Sequence, residues 1–220
     1  MISGIEQAYR KHHQERRREG FAILETERGA LFKKLIGTGK KILDLGCRDG
    51  VITKYFVEGN DVNGVDIDAG ALENAKSALN IKTVHFDLNQ ADWPLERGIF
   101  DAVVATEIVE HLYFPEAFLK RISNLIKPGG FLVGSVPNAF SLKCRIKYVF
   151  ADKRGTPLQD PMHINQFSWQ EFKKLLKNDF VEIKLFPLGK KYGGLTKIFP
   201  GLFAHSIAFS ATKTKYQSKE

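Results

Sequence analysis

Ile42-Leu43-Asp44-Leu45-Gly46-Cys47-Arg48-Asp49-Gly50 is the stretch that decides the fold. It opens on a short apolar run flanked by glycines, as expected of a strand buried on both faces of a parallel sheet. The run feeds a glycine-rich turn. Gly46 and Gly50 permit backbone conformations and close approaches that a Cβ would obstruct. A helix following such a turn aims its first backbone N–H groups at a ligand. Taken alone, the turn is equally the mark of a tight strand-to-helix connection.

The sequence on either side gives the turn its setting. Residues 1–40 carry apolar side chains at near-helical spacing and end at Gly37 and Gly39. Downstream, the spacing predicts a helix over 50–58, a strand over 62–67, a helix over 69–79 and strands over 83–86 and 100–105. A helical stretch over about 108–126, a turn at 127–130 and a strand over 131–136 follow. Such alternation argues for βαβ units and a doubly wound parallel sheet. Beyond Pro137 the rhythm breaks into a basic, aromatic-rich stretch and a polar loop, then a helix over 168–176. Two apolar segments, 180–188 and 203–212, close the chain, with no crossover helix evident between them; an antiparallel pair with a long connection is expected. One domain over 1–220 is therefore expected: a helical cap (1–40), a core (41–137), a basic lid (138–167) and a C-terminal helix with its strand pair (168–220).

Two further acids sit where ligands are bound in such folds. Asp66 ends the second strand about 20 residues past the turn, the place of the acid that grips ribose hydroxyls. Asp68 is the fallback if the register slips. Asp87, followed by Leu88, ends the third strand and suits an exocyclic adenine amine. Singly, each acid reads as a loop cap; together they favour a ligand site at the carboxyl edge of the sheet. Neither G-x-G-x-x-G nor G-x-x-x-x-G-K-[ST] is present, so the usual dinucleotide fingerprint and the P-loop are both excluded. Asp44 repels a pyrophosphate and favours a ligand that carries positive charge.

DLGCRDG, VDID, FDL and FDAVVATEIVEHL followed by LKPGGFLVGSVPN, in that order, resemble the class I S-adenosylmethionine-dependent methyltransferases over about residues 38–137. The resemblance implies a Rossmann-like, seven-stranded, mostly parallel α/β sheet whose last strand is antiparallel. It implies S-adenosylmethionine as cofactor, with Asp44 near the ammonium, Gly46 at the methionyl part, Asp66 on the ribose and Asp87 with Leu88 at the adenine. Cys47, Gly50, Ile67 and Glu107 would complete the lining. One position departs from the pattern: Arg48 stands where the family usually has glycine.

The residues for proton work follow the fourth strand. Glu107, Glu110 and His111, at i, i+3 and i+4, are expected on one face of a helical turn. His111 beside a carboxylate suits a general base near neutral pH, supported by Glu110, and His163 is a second candidate that a loop can bring over the site. E-x-x-E-H with a distant histidine is also an oxygen and nitrogen set for a divalent cation. It is similar to segments of metal-dependent RNA 3′-terminal ribose methyltransferases and of ubiquinone-biosynthesis O-methyltransferases. Mg²⁺ is thus an option that the motif opens without favouring. Cys47 reads as a buried packing residue, and Cys144 lies between Lys143 and Arg145.

Composition sets the outer bounds. In 220 residues, 43% are hydrophobic and 26% charged, which excludes wholesale disorder. With two cysteines the chain has neither a disulfide framework nor a four-thiolate zinc site. No apolar run reaches the ~20 residues of a membrane span and no secretory signal is evident, so a cytoplasmic location is expected. The net charge of +8 divides into +5 over residues 1–41, −6 over 42–139 and +9 over 140–220. The acidic middle coincides with the cofactor motifs. The basic flanks, above all 140–154, suit a peripheral membrane contact or an anion, and RNA stays open as a partner. The expected acceptor is a small molecule, a quinone or a glycan intermediate, methylated on oxygen; an RNA ribose or a non-catalytic binding module are the alternatives.

Overall fold

A computed structural model describes residues 4–16, 19–189 and 191–214. Its strands are β1 (Lys41–Leu45), β2 (Asp61–Asp66), β3 (Lys82–His85), β4 (Phe100–Thr106), β5 (Ile126–Pro137), β6 (Val181–Leu188) and β7 (Ser206–Thr212). They form one seven-stranded sheet in the order β3-β2-β1-β4-β5-β7-β6. β1 pairs in parallel with β2 and β4, and β4 with β5, whereas β7 runs antiparallel to both of its neighbours. This is the doubly wound sheet with an antiparallel last strand that the motif order implied.

The helices are α1 (Gly4–Glu15), α2 (Glu25–Ile36), α3 (Ala69–Leu79), α4 (Pro115–Leu125), α5 (Leu142–Val149), α6 (Trp169–Leu176), α7 (Gly194–Ile198) and α8 (Pro200–Phe203). Side chains alternate across a strand, so the central strands feed two cores. Leu43, Leu45, Val103, Ala105 and Phe209 pack with Phe118 of α4 and Phe172 of α6. Ile42, Ala102, Val104 and Ala208 point the other way, towards Phe32 and Ile36 of α2 and Ala75 of α3. Parity places Asp44 on that second side. There it is 2% exposed and accepts a 2.7 Å hydrogen bond from Thr53 Oγ1.

Several elements differ from the sequence expectation, each for a local reason. The helix expected over 50–58 is only a 3₁₀ turn, Thr53–Tyr55. Gly50 sits at φ +80° and the β-branched run Val51-Ile52-Thr53 disfavours an α-helix. The stretch expected to be helical from 108 to 126 is broken into a 3₁₀ turn, Val109–His111, and α4. Pro115 forces its predecessor out of the helical region, and Phe114 is at φ −130°, ψ 78°. The glycines at 129–130 do not precede β5 but lie within it, where the pairing with β4 shifts register between Phe100 and Ala102. The connection between β6 and β7 holds two short helices, α7 and α8. The N-terminal forty residues form α1 and α2 with a break between them; residues 17–18 lie outside the described set.

Candidate active site

Every strand end named from sequence faces one cavity of about 360 Å³ at the carboxyl edge of β1, β2 and β4. Asp44, Gly46, Cys47, Asp66, Ile67, Asp87, Leu88, Glu107, His111 and His163 line it; Gly50 and Glu110 are not among its lining residues. Gly46 is at φ +72°, and a Cβ there would press on the Ile108 side chain at 3.1 Å. Asp66 accepts from the backbone N–H of Arg48 at 2.8 Å and of Asp68 at 2.9 Å. Each oxygen keeps a lone pair for a further donor. Burial raises the Asp66 carboxyl, and it pushes the Asp44 carboxyl up to about 7. Asp68 proves to be the N-cap of α3, accepting from Gly70 and Ala71 N–H and pairing with Arg10 at 3.1 Å. Asp87 Oδ1 accepts from the Asn89 backbone N–H at 2.9 Å and from Asn89 Nδ2 at 3.3 Å, and the residue lines the cavity.

Arg48 adopts φ 51°, the left-handed region where glycine costs least. Its guanidinium turns to the N-terminal segment, bonding Asp49 at 3.0 Å and the Phe21 carbonyl at 2.9 Å. Asp49 in turn accepts from Gly20 N–H at 2.7 Å. The departure from glycine thus ties the turn to the chain that leads out of α1.

The proton-handling candidates do not share one helical face. Glu107 sits at φ 51° before the 3₁₀ turn, and its Oε1 accepts from Arg28 and Ser135, both at 2.9 Å. Glu110, 1% exposed, instead joins His111 and His163: one ligand atom from each of the three lies within 4.8 Å of the others. The lid loop is laced to the 3₁₀ turn from 50 residues away. Met162 O accepts from His111 Nδ1 at 2.8 Å, Glu110 O from Asn165 N at 2.9 Å and Leu112 O from Asn165 Nδ2 at 2.6 Å. His163 Nδ1 likewise meets the Pro157 carbonyl at 3.1 Å. Because carbonyls only accept, both Nδ1 atoms carry the proton and both Nε2 atoms keep a lone pair.

Electrostatics sharpen this picture. Burial, then His163, lowers His111 to about 4, so it is neutral at physiological pH rather than a base tuned near 7. Burial also lowers His163. Burial, with Glu107 adding to it, raises Glu110 well above the usual carboxylate range. Both Glu110 oxygens are buried without a hydrogen-bond partner, a costly state for a carboxylate. A carboxylate and two neutral imidazoles held by carbonyls are the donor set of a divalent transition-metal or Mg²⁺ site.

Arg28, Tyr9 and Asp160 are among the lining residues that the motifs did not mark. Arg28 of α2 is 2% exposed and its Nε has no partner. Tyr9 of α1 meets the His111 ring edge-on at 5.9 Å, and burial together with Glu110 raises its phenol. Asp160, 5% exposed, pairs with Arg16 at 3.0 Å and His12 at 3.2 Å, and lies 3.8 Å from His163 Nε2. D-P-M-H, an acid three residues before a loop histidine, was the one available signal for Asp160; no pattern marks Arg28 or Tyr9.

This strand order, with a glycine turn and buried acids at the strand ends, defines the class I S-adenosylmethionine-dependent methyltransferase fold. The chain belongs to the methyltransferase domain family, whose model matches residues 13–179. It is similar to the ubiquinone biosynthesis O-methyltransferase of Pectobacterium atrosepticum, 32% identical over 106 residues, covering 46% of this chain and 44% of that protein. It is similar also to the small RNA 2′-O-methyltransferase of Schizosaccharomyces pombe, 28% identical over 197 residues, covering 78% of this chain and 49% of that protein. The match therefore spans about half the length of these relatives. In fold, it matches the 1,6-didemethyltoxoflavin-N1-methyltransferase of Burkholderia thailandensis, a structure with bound S-adenosylhomocysteine, at TM-score 0.69 and 17% identity over 96% of this chain and 87% of that one.

Proposed function

We propose that this chain methylates a hydroxyl oxygen of a small acceptor, using S-adenosylmethionine, with a divalent cation held by Glu110, His111 and His163 beside the acceptor. The single observation that carries the proposal is the Glu110 side chain, buried with neither carboxyl oxygen satisfied next to two neutral imidazoles. A cation completes that set, and a hydroxyl bound to it loses its proton more readily. The cofactor supplies a methyl on a sulfonium, a leaving group already in place.

The cavity's own groups fit that cofactor. Asp44 is a buried acid on the glycine-turn side, suited to an ammonium, and Asp66 has lone pairs for two ribose hydroxyls. Asp87 with Leu88 suits an adenine edge and face. Arg28, with a buried donor unpaired, suits the methionyl carboxylate. Gly46 lets the backbone approach closely. The residues then have mainly to align methyl and oxygen and keep water out. α1 and the loop 155–163 both line the cavity, which favours an acceptor small enough to be enclosed.

S-adenosylhomocysteine release from a panel of catechol and polyol acceptors tests the reading. Turnover should stop with EDTA, return with Mg²⁺ or Mn²⁺, and leave the methyl on oxygen. His163→Ala should lose about 100-fold in kcat while still binding S-adenosylhomocysteine. Chelator-insensitive transfer, or transfer to nitrogen, would refute it. Likeness to the yeast RNA enzyme over 78% of this chain favours one second reading, an RNA 3′-terminal ribose as acceptor. An oligoribonucleotide with a free terminal diol belongs in the same panel.

A further inference from the structure

We propose that Arg48 is a positioning residue for the cofactor: its side chain holds residues 20–24 beside the glycine turn as a strap that sets how long a bound S-adenosyl ligand stays. Two backbone outliers point to it. Arg48 sits at φ 51° and Leu24 at φ 56°, both in the left-handed region that a residue with a Cβ occupies at a cost. Such conformations persist only where the surroundings overdetermine them, and they gather at ligand clamps.

The surroundings here are hydrogen bonds that run from the turn to the strap. Asp49 accepts from Arg48 Nε at 3.0 Å with one oxygen and from the Gly20 N–H at 2.7 Å with the other. Arg48 Nη2 donates to the Phe21 carbonyl at 2.9 Å, and Arg28 Nη1 donates to the Ile23 carbonyl, also at 2.9 Å. Gly20, Phe21 and Ile23 are thus each pinned through the backbone. The Arg48 and Asp49 side chains are only 15% and 10% exposed, so water competes little for these bonds.

Position ties the strap to the cofactor. Ala22 and Ile23 line the cavity together with Asp44, Gly46 and Asp66. Ile23 is 39% exposed, so a ligand in the cavity has apolar surface to bury there. Arg48 joins both sides in one residue: its backbone N–H donates at 2.8 Å to Asp66, the acid suited to the ribose, while its side chain holds the strap. Arg28 does the same on the methionyl side, with Nη2 on Glu107 at 2.9 Å and Nε unpartnered. A glycine at position 48 takes φ 51° without strain and keeps the N–H on Asp66, but it has no side chain to reach Phe21. What arginine adds, against that strain, is the strap.

The test compares Arg48→Gly with Arg48→Ala in the full chain, using S-adenosylhomocysteine alone. Its dissociation in stopped-flow fluorescence should be about ten-fold faster than in the parent for both variants, since both lose the bond to Phe21. Arg48→Gly should melt higher than Arg48→Ala, because only glycine relieves the left-handed backbone. Hydrogen exchange followed by mass spectrometry reads the strap itself. Bound S-adenosylhomocysteine should slow exchange over residues 19–24 in the parent and much less in either variant. Parent-like dissociation in Arg48→Gly would overturn the proposal, and so would acceleration in Arg48→Ala alone, which would assign the effect to the backbone of the turn. Ligand protection of 19–24 retained in full by both variants would overturn it too. Neither acceptor nor metal enters these measurements, so failure here leaves the proposed methyl transfer standing, and failure there leaves the strap standing.

Discussion

Asp44 sits beneath the cavity with one oxygen on Thr53, and burial lifts its carboxyl from 3.8 to about 7. Below that pH it is neutral, and a cationic ligand prefers the carboxylate. Affinity for S-adenosylhomocysteine should therefore fall as pH drops through about 7, approaching ten-fold per unit well below it, which titration calorimetry reads directly. Asp44→Asn should bind weakly and lose that slope. Stability runs with the opposite sign. The folded chain holds the proton where the unfolded chain has lost it, so Asp44 costs stability increasingly from about pH 4 to about 7, and Asp44→Asn should raise the apo Tm at pH 8 but not at pH 4. Asp44, Asp66 and Asp87 were legible in the sequence because strand ends of a parallel sheet are fixed points for ligands. Arg28 and Tyr9 were not, because which helix residue faces a cavity depends on how the helix docks.

α1 contributes no apolar side chain to either core. Its one buried side chain is Glu6, and it meets the body through Arg10 to Asp68 and His12 to Asp160, with Arg16 just past its end adding a second bond to Asp160. Yet Tyr9, His12 and His13 cover the cavity. A helix held across a ligand cleft by polar contacts detaches readily when they are screened. Asp160→Ala should speed S-adenosylhomocysteine dissociation about ten-fold in stopped-flow fluorescence, and high salt should speed it in the parent more than in the variant. A dissociation rate blind to both changes would mean that α1 does not gate the cleft. Periodicity found α1 but not its role, since the partners of Asp160 lie about 150 residues apart in sequence. It joined 108–126 into one helix because apolar spacing runs through Pro115, whose steric effect on Phe114 outweighs it.

At the scale of the molecule, the sheet order was legible because alternating strand and helix patterns leave few topologies. The short helices between β6 and β7 were not, being too brief for periodicity to register. Gly134 shows how tightly the centre is drawn: a Cβ there would strike the Ala105 carbonyl and approach Phe209 Cζ at 2.7 Å. Gly134→Ala should destabilise by about 3 kcal/mol in chemical denaturation, and a neutral result would mean that β4, β5 and β7 pack more loosely than they do here. The charge partition likewise becomes spatial. The −6 middle segment, residues 42–139, holds four of the five acids that line the cavity, Asp160 being the fifth, and the +9 C-terminal part, residues 140–220, carries α5 outside it.

Mn²⁺ binding, followed by electron paramagnetic resonance with S-adenosylhomocysteine present, probes the proposed cation site of Glu110, His111 and His163 without needing an acceptor. One ion should bind per chain and be lost in Glu110→Gln and in His163→Ala while both variants still bind S-adenosylhomocysteine. No bound ion in the parent chain, or binding unchanged in both variants, would contradict it.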